Sequence, residues 1–566
     1  APLVKETSVA ITEFFHDRAT TEAKRASGEW LGKTLDDFLR EHARVRPDKL
    51  VIVDRAQQLT FAELDRLAHR VACGLYHHGL RPGDVVSIQL PNWAEWLILH
   101  CALSKLGAVT NSIGAMYRHN EVGYILGYAE TKMLVIPHVY RRFNHVAMVA
   151  ELRDGLPLLE QVFVAGDPCA DRARAPGMRG LEELLEEPWE ARVPAATIDA
   201  LRPDPGAVAT LMFTSGTTAE PKGVMHTHDT LVRGAEQMRE AYRLEDEEVI
   251  FMASPIGHTT ALLVGARLPL QFGSTAVWQE HWDASAAVEL IAEHGCTYTL
   301  SATPFLHGLL HAENATRDKL RTLKTFACGG APIPRELIKI ADKDFGLFVS
   351  AVYGSSEALI NSAVQPDAAP ERRYGTDGQL IYGVEARLVD PETSKPIGPG
   401  GEGELQVRTP SLYAGYYKDP ATTAEVRLAE DWYATGDLCT LDEEGYVAVV
   451  GRKKDMIIRG GANISAREIE ELLFTHPKVA NVACVAMPDP VLSERVCAYV
   501  ICEPEQTLAF EEMVAFLKGK RVSAWKLPER LELRAEFPMT PSGKIQKFML
   551  REEIGQMIRD GQSGQA

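Results

Sequence analysis

Leu211-Met-Phe-Thr-Ser-Gly-Thr-Thr-Ala-Glu-Pro-Lys-Gly-Val224 begins as an apolar run and empties into hydroxyls, glycines and one lysine. The apolar part reads as a buried strand. Glycines let backbone N–H groups approach a ligand closely, and successive N–H groups in a turn form an anion-binding concavity. Thr214, Ser215, Thr217 and Thr218 add hydroxyl donors around Gly216, and Lys222 adds a point charge. That inventory suits a polyphosphate. It is not a Walker loop, which needs G-x-x-x-x-G-K-[ST], because Lys222 follows Pro221 and precedes Gly223. A Ser/Thr/Gly surface turn has the same composition, so the rest of the chain must decide between the two.

The chain has 566 residues, too many for one core, and two or more domains are expected. Its 45% hydrophobic and 24% charged residues are ordinary for a globular protein. A formal net charge of −18 argues against nucleic-acid binding, which needs a basic footprint. It also obliges any anionic ligand to be met by local cations or backbone donors. Nine cysteines are scattered from Cys73 to Cys502 with no C-x-x-C pair, so neither a disulfide framework nor a zinc site is indicated. A cytoplasmic location fits. No run of 18 apolar residues occurs, since Trp96–Val109 is interrupted by Lys105, and no integral membrane contact is expected. The first residues carry Lys5, Glu6, Glu13, Asp17 and Arg18 and do not read as a signal peptide.

Working outward, the N-terminal two-thirds alternates strand-like and helical periods. Leu50–Val53, Val85–Leu90, Met133–Pro137 and Val162–Ala165 read as buried strands. Thr60-Phe-Ala-Glu63 is a capping box that opens a helix with Leu64, Leu67, Val71 and Leu75 on one face, and Gly79 stops it. Such alternation predicts an α/β fold of mostly parallel sheets, whose ligands bind at loops on strand ends. From about residue 380 short alternating strands, Glu385–Asp390, Gly403–Arg408 and Tyr446–Val450, predict a small antiparallel β subdomain. A compact α+β pattern then restarts, with helices at Ile469–Phe474 and Phe510–Leu517 and strands at Val479–Met487, Val496–Cys502 and Leu531–Arg534. The boundary is placed at residue 454, giving an N-terminal domain over 1–453 and a smaller, mobile C-terminal domain over 454–566.

Four later segments carry chemistry-bearing residues. In Tyr353-Gly-Ser-Ser-Glu357 a carboxylate stands beside hydroxyls, a set that suits Mg²⁺ with phosphates. In Tyr433-Ala-Thr-Gly-Asp437 a carboxylate after a tight turn can accept from a ribose diol. Gly451-Arg-Lys-Lys-Asp455 is followed by Gly460-Gly461, and Pro538-Met-Thr-Pro-Ser-Gly-Lys-Ile545 presents a lysine on a Pro/Gly turn. Each is modest alone. Together and in this order the five motifs resemble the acyl-adenylate-forming superfamily of acyl-CoA synthetases, peptide-synthetase adenylation domains and firefly luciferase. The resemblance runs from about Thr60 to Arg551 and leans toward acyl-CoA synthetases for medium-chain, alicyclic or aromatic acids.

The resemblance implies the following roles. The stretch from Thr214 through Ser215, Gly216, Thr217, Thr218 and Lys222 holds ATP phosphates. Gly329, Gly330, Ala331, Pro332 and Tyr353 form the adenine site, and Gly354 and Ser355 also bind ATP. Ser356 and Glu357 lie near the α-phosphate, with Glu357 the Mg²⁺ ligand. Asp437 and Arg452 bind ribose, and Lys454 is the hinge. Gly460 and Gly461 line the CoA tunnel. His258 borders the acyl pocket with Thr259, Ala261, Leu262, Cys328, Gly329 and Val352. Lys544 is the catalytic lysine, acting with Glu357, His258 and Thr214. Two departures stand out: Ala219 replaces a usual glycine, at about 1 kcal/mol if that position needs positive φ, and Ser465-Ala-Arg-Glu468 replaces the commoner proline-containing tunnel segment. The implied reaction is two-step, acid plus ATP to acyl-AMP and pyrophosphate, then CoA to acyl-CoA and AMP. Phe251–His258 holds no acid to pair an amino-acid ammonium, so the small-molecule substrate is expected to be an apolar monocarboxylic acid. A ligase that loads a carrier protein and a silent acyl-nucleotide binder stay open as alternatives, as does a homo-oligomer.

Overall fold

A computed structural model describes residues 18–166, 177–214, 221–330, 333–460, 462–540 and 544–561. The capping box forms as expected: Thr60 Oγ1 accepts from Glu63 N while Glu63 Oε2 accepts from Thr60 N, opening the helix Phe61–His77. Its end is closed by Gly79 at φ 97°, with Leu80 N donating to the Leu75 carbonyl and Gly79 N to that of Tyr76. The left-handed turn frees the last carbonyls to be satisfied locally.

Among the described residues, two large sheets build the N-terminal part. In the first, six parallel strands run in the order Phe348–Ser355, Thr325–Gly329, Tyr298–Ser301, Val249–Met252, Thr275–Trp278 and Leu50–Val53, with antiparallel strands on both edges. In the second, Val208–Thr214 lies parallel to Val109–Ser112, followed by Val85–Ile88, Met133–Pro137, Gln161–Ala165 and Met178–Gly180. The helix Ala94–Leu106 is buried around nearly its whole circumference, which is why its sequence is apolar on every face. Lys105, the charge that interrupts this run, is itself buried, and its ammonium pairs with Asp36 at 2.5 Å and Asp65 at 2.6 Å. A buried charge persists only when paired in this way.

A five-stranded antiparallel sheet follows, with Tyr433–Leu441 and Val447–Arg452 at one edge. The last sheet begins at Ile457 and has its own core on both faces. Val482, Cys484, Ala486, Val496, Ala498 and Val500 pack under the helices Ala466–Leu473 and Phe510–Gly519. The alternate residues Ala483, Val485, Met487, Cys497 and Tyr499 pack under the helix Lys547–Arg559. Alternating residues of a strand face opposite sides, so two covered faces produce an unbroken apolar run. The short helical turn Lys453–Asp455 joins these two sheets. Polar contacts cross it: Ser465 Oγ donates to the Val450 carbonyl at 2.5 Å, and Arg467 Nη2 reaches Asp377 Oδ2 at 3.4 Å. Asp377 also accepts from Val449 N and Arg335 Nη2.

Candidate functional site

The opening segment turns out to be a hairpin. Val208–Thr214 pairs with the antiparallel strand Lys222–Thr227, a return strand that the sequence reading missed, and Thr214 faces Lys222 across the base. Thr214 Oγ1 lies 3.5 Å from the Lys222 carbonyl. Ser215, Gly216, Thr217, Thr218 and Ala219 lie outside the described residues. Lys222 Nζ stands 5.2 Å from the centre of the Tyr416 ring, and the Tyr416 hydroxyl donates to Glu357 Oε1 at 2.7 Å. Burial and the Glu357 carboxylate push the Tyr416 phenol upward, so it stays a donor. One tyrosine therefore ties the loop lysine to the candidate Mg²⁺ carboxylate.

Glu357 reaches that place through a tight turn after strand Phe348–Ser355. A Cβ on Gly354 would lie 1.9 Å from the Leu359 carbonyl oxygen, so no larger residue fits. Ser355 Oγ accepts from Ala358 N at 3.1 Å. Ser356 Oγ accepts from Thr259 Oγ1 at 2.9 Å, and the Ser356 carbonyl accepts from His226 Nε2 at 2.7 Å. Burial and the Arg267 charge hold His226 near 4, so its ring is neutral at pH 7 and carries its proton on Nε2 in this contact.

Asp437 joins two of the predicted nucleotide residues. Its Oδ2 accepts from the Tyr353 hydroxyl at 2.7 Å and its Oδ1 from Arg452 Nε at 2.6 Å. Asp437 and Arg452 are also register partners across the two strands. Beside them a cavity of about 290 Å³ is lined by Thr435, Gly436, Arg452, Lys453 and Lys454. A carboxylate so gripped is fixed in orientation before any ribose arrives. Asp437→Ala leaves the Tyr353 hydroxyl and the Arg452 guanidinium without it. The expected result is a KM for ATP raised about tenfold to a hundredfold, the scale of one charged hydrogen bond of about 1.5–3 kcal/mol. Titration of ATP in pyrophosphate exchange at saturating acid measures it.

Lys544 lies in the same cleft, although it comes from the C-terminal part. Its hairpin is closed by Thr540 N donating to the Lys544 carbonyl at 2.7 Å and by Lys544 N donating to Thr540 Oγ1 at 3.0 Å. Three residues on, Lys547 Nζ pairs with buried Glu470 at 2.7 Å and anchors the segment. Gly330, at φ 81°, admits the lysine: a Cβ there would lie 3.3 Å from Lys544 Cε and 3.8 Å from Nζ. Ala331 and Pro332 lie outside the described residues. Enclosure in the cleft and the Arg452 guanidinium lower the Lys544 pKa, partly offset by Asp437 and Glu357. His258, whose Nδ1 is 3.1 Å from Thr260 Oγ1, is held near 3 by burial and by Lys544, and is therefore neutral.

A lowered lysine pKa has a kinetic sign. The ammonium is lost as pH rises through that value, so kcat/KM for adenylation falls on the alkaline side earlier than an ordinary lysine would dictate. Bound polyphosphate favours the ammonium, so the corresponding fall in kcat lies at higher pH. Lys544→Arg keeps its charge throughout and is expected to flatten the alkaline limb of whatever activity it retains. Exchange rates across pH 7–10 check both.

The candidate acyl wall is apolar. Ala261, Leu262 and Cys328 are fully buried, with Thr259 and Val352 nearly so. Gly329 is required by proximity, since a Cβ would lie 2.5 Å from the Val352 carbonyl oxygen. Burial and Arg452 bring Lys454 down to about 8. Gly460 is engaged inside the C-terminal sheet, its N–H donating to the Leu492 carbonyl at 2.7 Å, and Gly461 lies outside the described residues. Sequence reading missed Tyr416 and His226. No local pattern marks either, because Tyr416 meets Glu357 across 59 residues and His226 meets Ser356 across 130.

Comparisons with known proteins identify the family. The model of the AMP-binding enzyme family matches residues 39–417, and that of the AMP-binding enzyme C-terminal domain matches residues 468–544. The medium-chain fatty-acid–CoA ligase of Escherichia coli K12 is 35% identical over 554 residues, covering 98% of this chain and 96% of that protein. The salicylyl-CoA synthase / salicylate adenylyltransferase of a Streptomyces species is 33% identical, covering 94% and 95%. Among solved structures, ATP-bound MatB from Rhodopseudomonas palustris superposes with a TM-score of 0.81 at 27% identity, covering 93% and 100%. These matches have one common reading: the chain belongs to the AMP-binding enzyme family of adenylate-forming ligases.

Proposed function

We propose that the protein activates an apolar monocarboxylic acid with ATP and transfers the acyl group to CoA. The observation that carries this reading is the Lys544 side chain lying against Gly330 in the cleft of Asp437, Arg452 and Glu357. A carboxylate and an α-phosphate repel each other as they approach. An ammonium placed between their oxygens cancels charge where it develops, without reorganisation at the moment of reaction. Lys222 and the loop hydroxyls hold the leaving pyrophosphate, and the Asp437–Arg452 pair holds the ribose. Neutral His258 borders the acyl carbonyl without adding charge. Among the described residues no three acids, histidines or cysteines cluster as a metal site, but Glu357 supplies one carboxylate. That fits Mg²⁺, which is usually held by one or two carboxylates plus phosphates, and Mg²⁺ bound there would neutralise the leaving group.

The second step needs different groups around the same carbonyl. In this conformation Lys544 occupies the cleft while Gly460 is held by Leu492. Rotation about Lys454 withdraws the lysine and brings Gly460-Gly461 with CoA. The apolar wall of Ala261, Leu262, Cys328 and Val352 favours a medium-chain, alicyclic or aromatic acid, in keeping with the E. coli and Streptomyces relatives. No helix among the described residues is long and apolar enough to cross a membrane, and the eight described cysteines are free thiols, which suits the cytoplasm. A panel of acids assayed for pyrophosphate and for AMP, with and without CoA, tests the reading. Multiple turnover only with CoA supports it. Turnover only with an acyl-carrier protein assigns the enzyme to carrier loading instead.

A further inference from the structure

The turn that carries Glu357 is strained. Leu359, buried at its end, sits at φ 53°, in the left-handed region. There the Cβ of an L-residue crowds its own backbone. Such a conformation persists only where the surroundings over-determine it, and it collects at functional sites. Three contacts from distant segments hold this turn. Thr259 Oγ1 donates to Ser356 Oγ at 2.9 Å, Tyr413 N to the Glu357 carbonyl at 2.7 Å, and His226 Nε2 to the Ser356 carbonyl at 2.7 Å. The His226 contact holds the peptide plane that leads into Glu357, and so bears on the direction in which that side chain leaves the backbone.

His226 stands on the strand Lys222–Thr227. Alternate residues of a strand share a face, so Lys222 and His226 look the same way, about 13 Å apart along it. Lys222 lies over the Tyr416 ring, whose hydroxyl donates to the Glu357 carboxylate. One strand face therefore reaches Glu357 twice, through Tyr416 at the carboxylate and through His226 at the backbone. The imidazole is fully buried among positions such as Val224 and Met225, where packing alone calls for no ring nitrogen. Burying a polar ring is unfavourable unless hydrogen bonds offset it. A carbonyl can only accept, so Nε2 carries the proton, and Nδ1 lies 3.1 Å from Thr230 Oγ1. Both nitrogens are engaged, and the ring acts by geometry rather than by proton transfer.

We propose that His226 is a positioning residue for the Mg²⁺ carboxylate: through the Ser356 carbonyl it fixes the backbone from which Glu357 projects. This rests on the ligase reading above, in which Glu357 holds the ion. Without the donor, the Ser356 carbonyl is left unpaired and the strained turn is free to relax, taking the carboxylate off its place. Such a shift weakens the hold on Mg²⁺ and leaves the acyl wall of Ala261, Leu262 and Cys328, on other elements, untouched.

The test uses the full chain with His226→Leu, which removes both nitrogens, and His226→Gln, whose amide reaches about as far as Nε2 and still donates. In the first arm, acid-dependent exchange of pyrophosphate into ATP is titrated with Mg²⁺. His226→Leu is expected to need about tenfold more Mg²⁺ for half-maximal exchange, and His226→Gln less than about threefold more, on the scale of one unpaired buried acceptor. The KM for the acid stays unchanged in both. In the second arm, the rise in thermal midpoint that ATP gives with Mg²⁺ is compared with the rise without it. The Mg²⁺-dependent part is expected in the wild type and in His226→Gln, and shrinks in His226→Leu.

A wild type that exchanges nothing with any acid removes the ligase reading. The second arm then decides alone, and a midpoint blind to Mg²⁺ or to the substitution overturns the proposal. Equal Mg²⁺ requirements and equal midpoint rises in all three proteins overturn it while the ligase reading stands. So does a loss that moves the KM for the acid together with the Mg²⁺ requirement, or one that His226→Gln does not restore, since His226 is then only part of the fold. If His226→Leu does not fold, His226→Asn, whose shorter amide stops short of the carbonyl, takes its place. Failure of both to fold overturns the proposal equally.

Discussion

In the Lys544→Ala enzyme, acid-dependent exchange of pyrophosphate into ATP falls by about 10²–10³-fold, the loss expected for one positioned donor of about 2.7–4 kcal/mol. CoA transfer from supplied acyl-AMP stays near the wild-type rate. The two outcomes differ because the lysine acts on charge that exists only while the carboxylate meets the α-phosphate. Truncation spares the fold. The hairpin that presents Lys544 is closed by backbone and Thr540 contacts, and the following helix is anchored by Lys547 and Glu470. A control by thermal melting is expected to show little change. Equal loss of both half-reactions would mean that Lys544 serves the cleft as structure rather than as a charge.

Lys454→Pro is expected to give the opposite split. Proline fixes φ near −65° and restricts the preceding residue, so the chain at Lys453-Lys454 loses its freedom to turn. The arrangement described here has Lys544 in place and is held by the Ser465–Val450 and Arg467–Asp377 contacts. Adenylation therefore survives. CoA transfer drops about a hundredfold or more, the scale of penalty when reacting groups are held out of position. Stopped-flow formation of acyl-AMP, followed by a chase with CoA, separates the two phases. A parallel fall in both would remove Lys454 from the hinge.

Much of this was legible in the chain before the structure. The buried strands expected at Leu50–Val53, Val85–Leu90 and Met133–Pro137 are short apolar runs bounded by turns, and they form as Leu50–Val53, Val85–Ile88 and Met133–Pro137. The Thr60–Glu63 capping box is a local pattern with a local cause, so it needs no tertiary information. The alternate faces of Val479–Asp489 were less clear, because a strand covered on both sides loses its period. Contacts between distant segments were not visible. The return strand Lys222–Thr227, the Tyr416–Glu357 bond and the Asp377 junction all depend on pairings far apart in sequence. Lys105 shows the same limit from the other side. In the sequence it is a charge that breaks an apolar run, and its partners Asp36 and Asp65 appear only in three dimensions. Arg267 likewise stands among apolar neighbours in Leu262-Leu-Val-Gly-Ala-Arg-Leu268, and its full burial appears only in three dimensions.

Exchange of labelled pyrophosphate into ATP, run with acid and without CoA, tests the central claim most directly. Reversible formation of an acyl-AMP predicts label in ATP that depends on the acid and needs no thiol. Absence of exchange with every acid, together with conversion of ATP to ADP and phosphate, would place bond cleavage at the terminal phosphate and contradict the account.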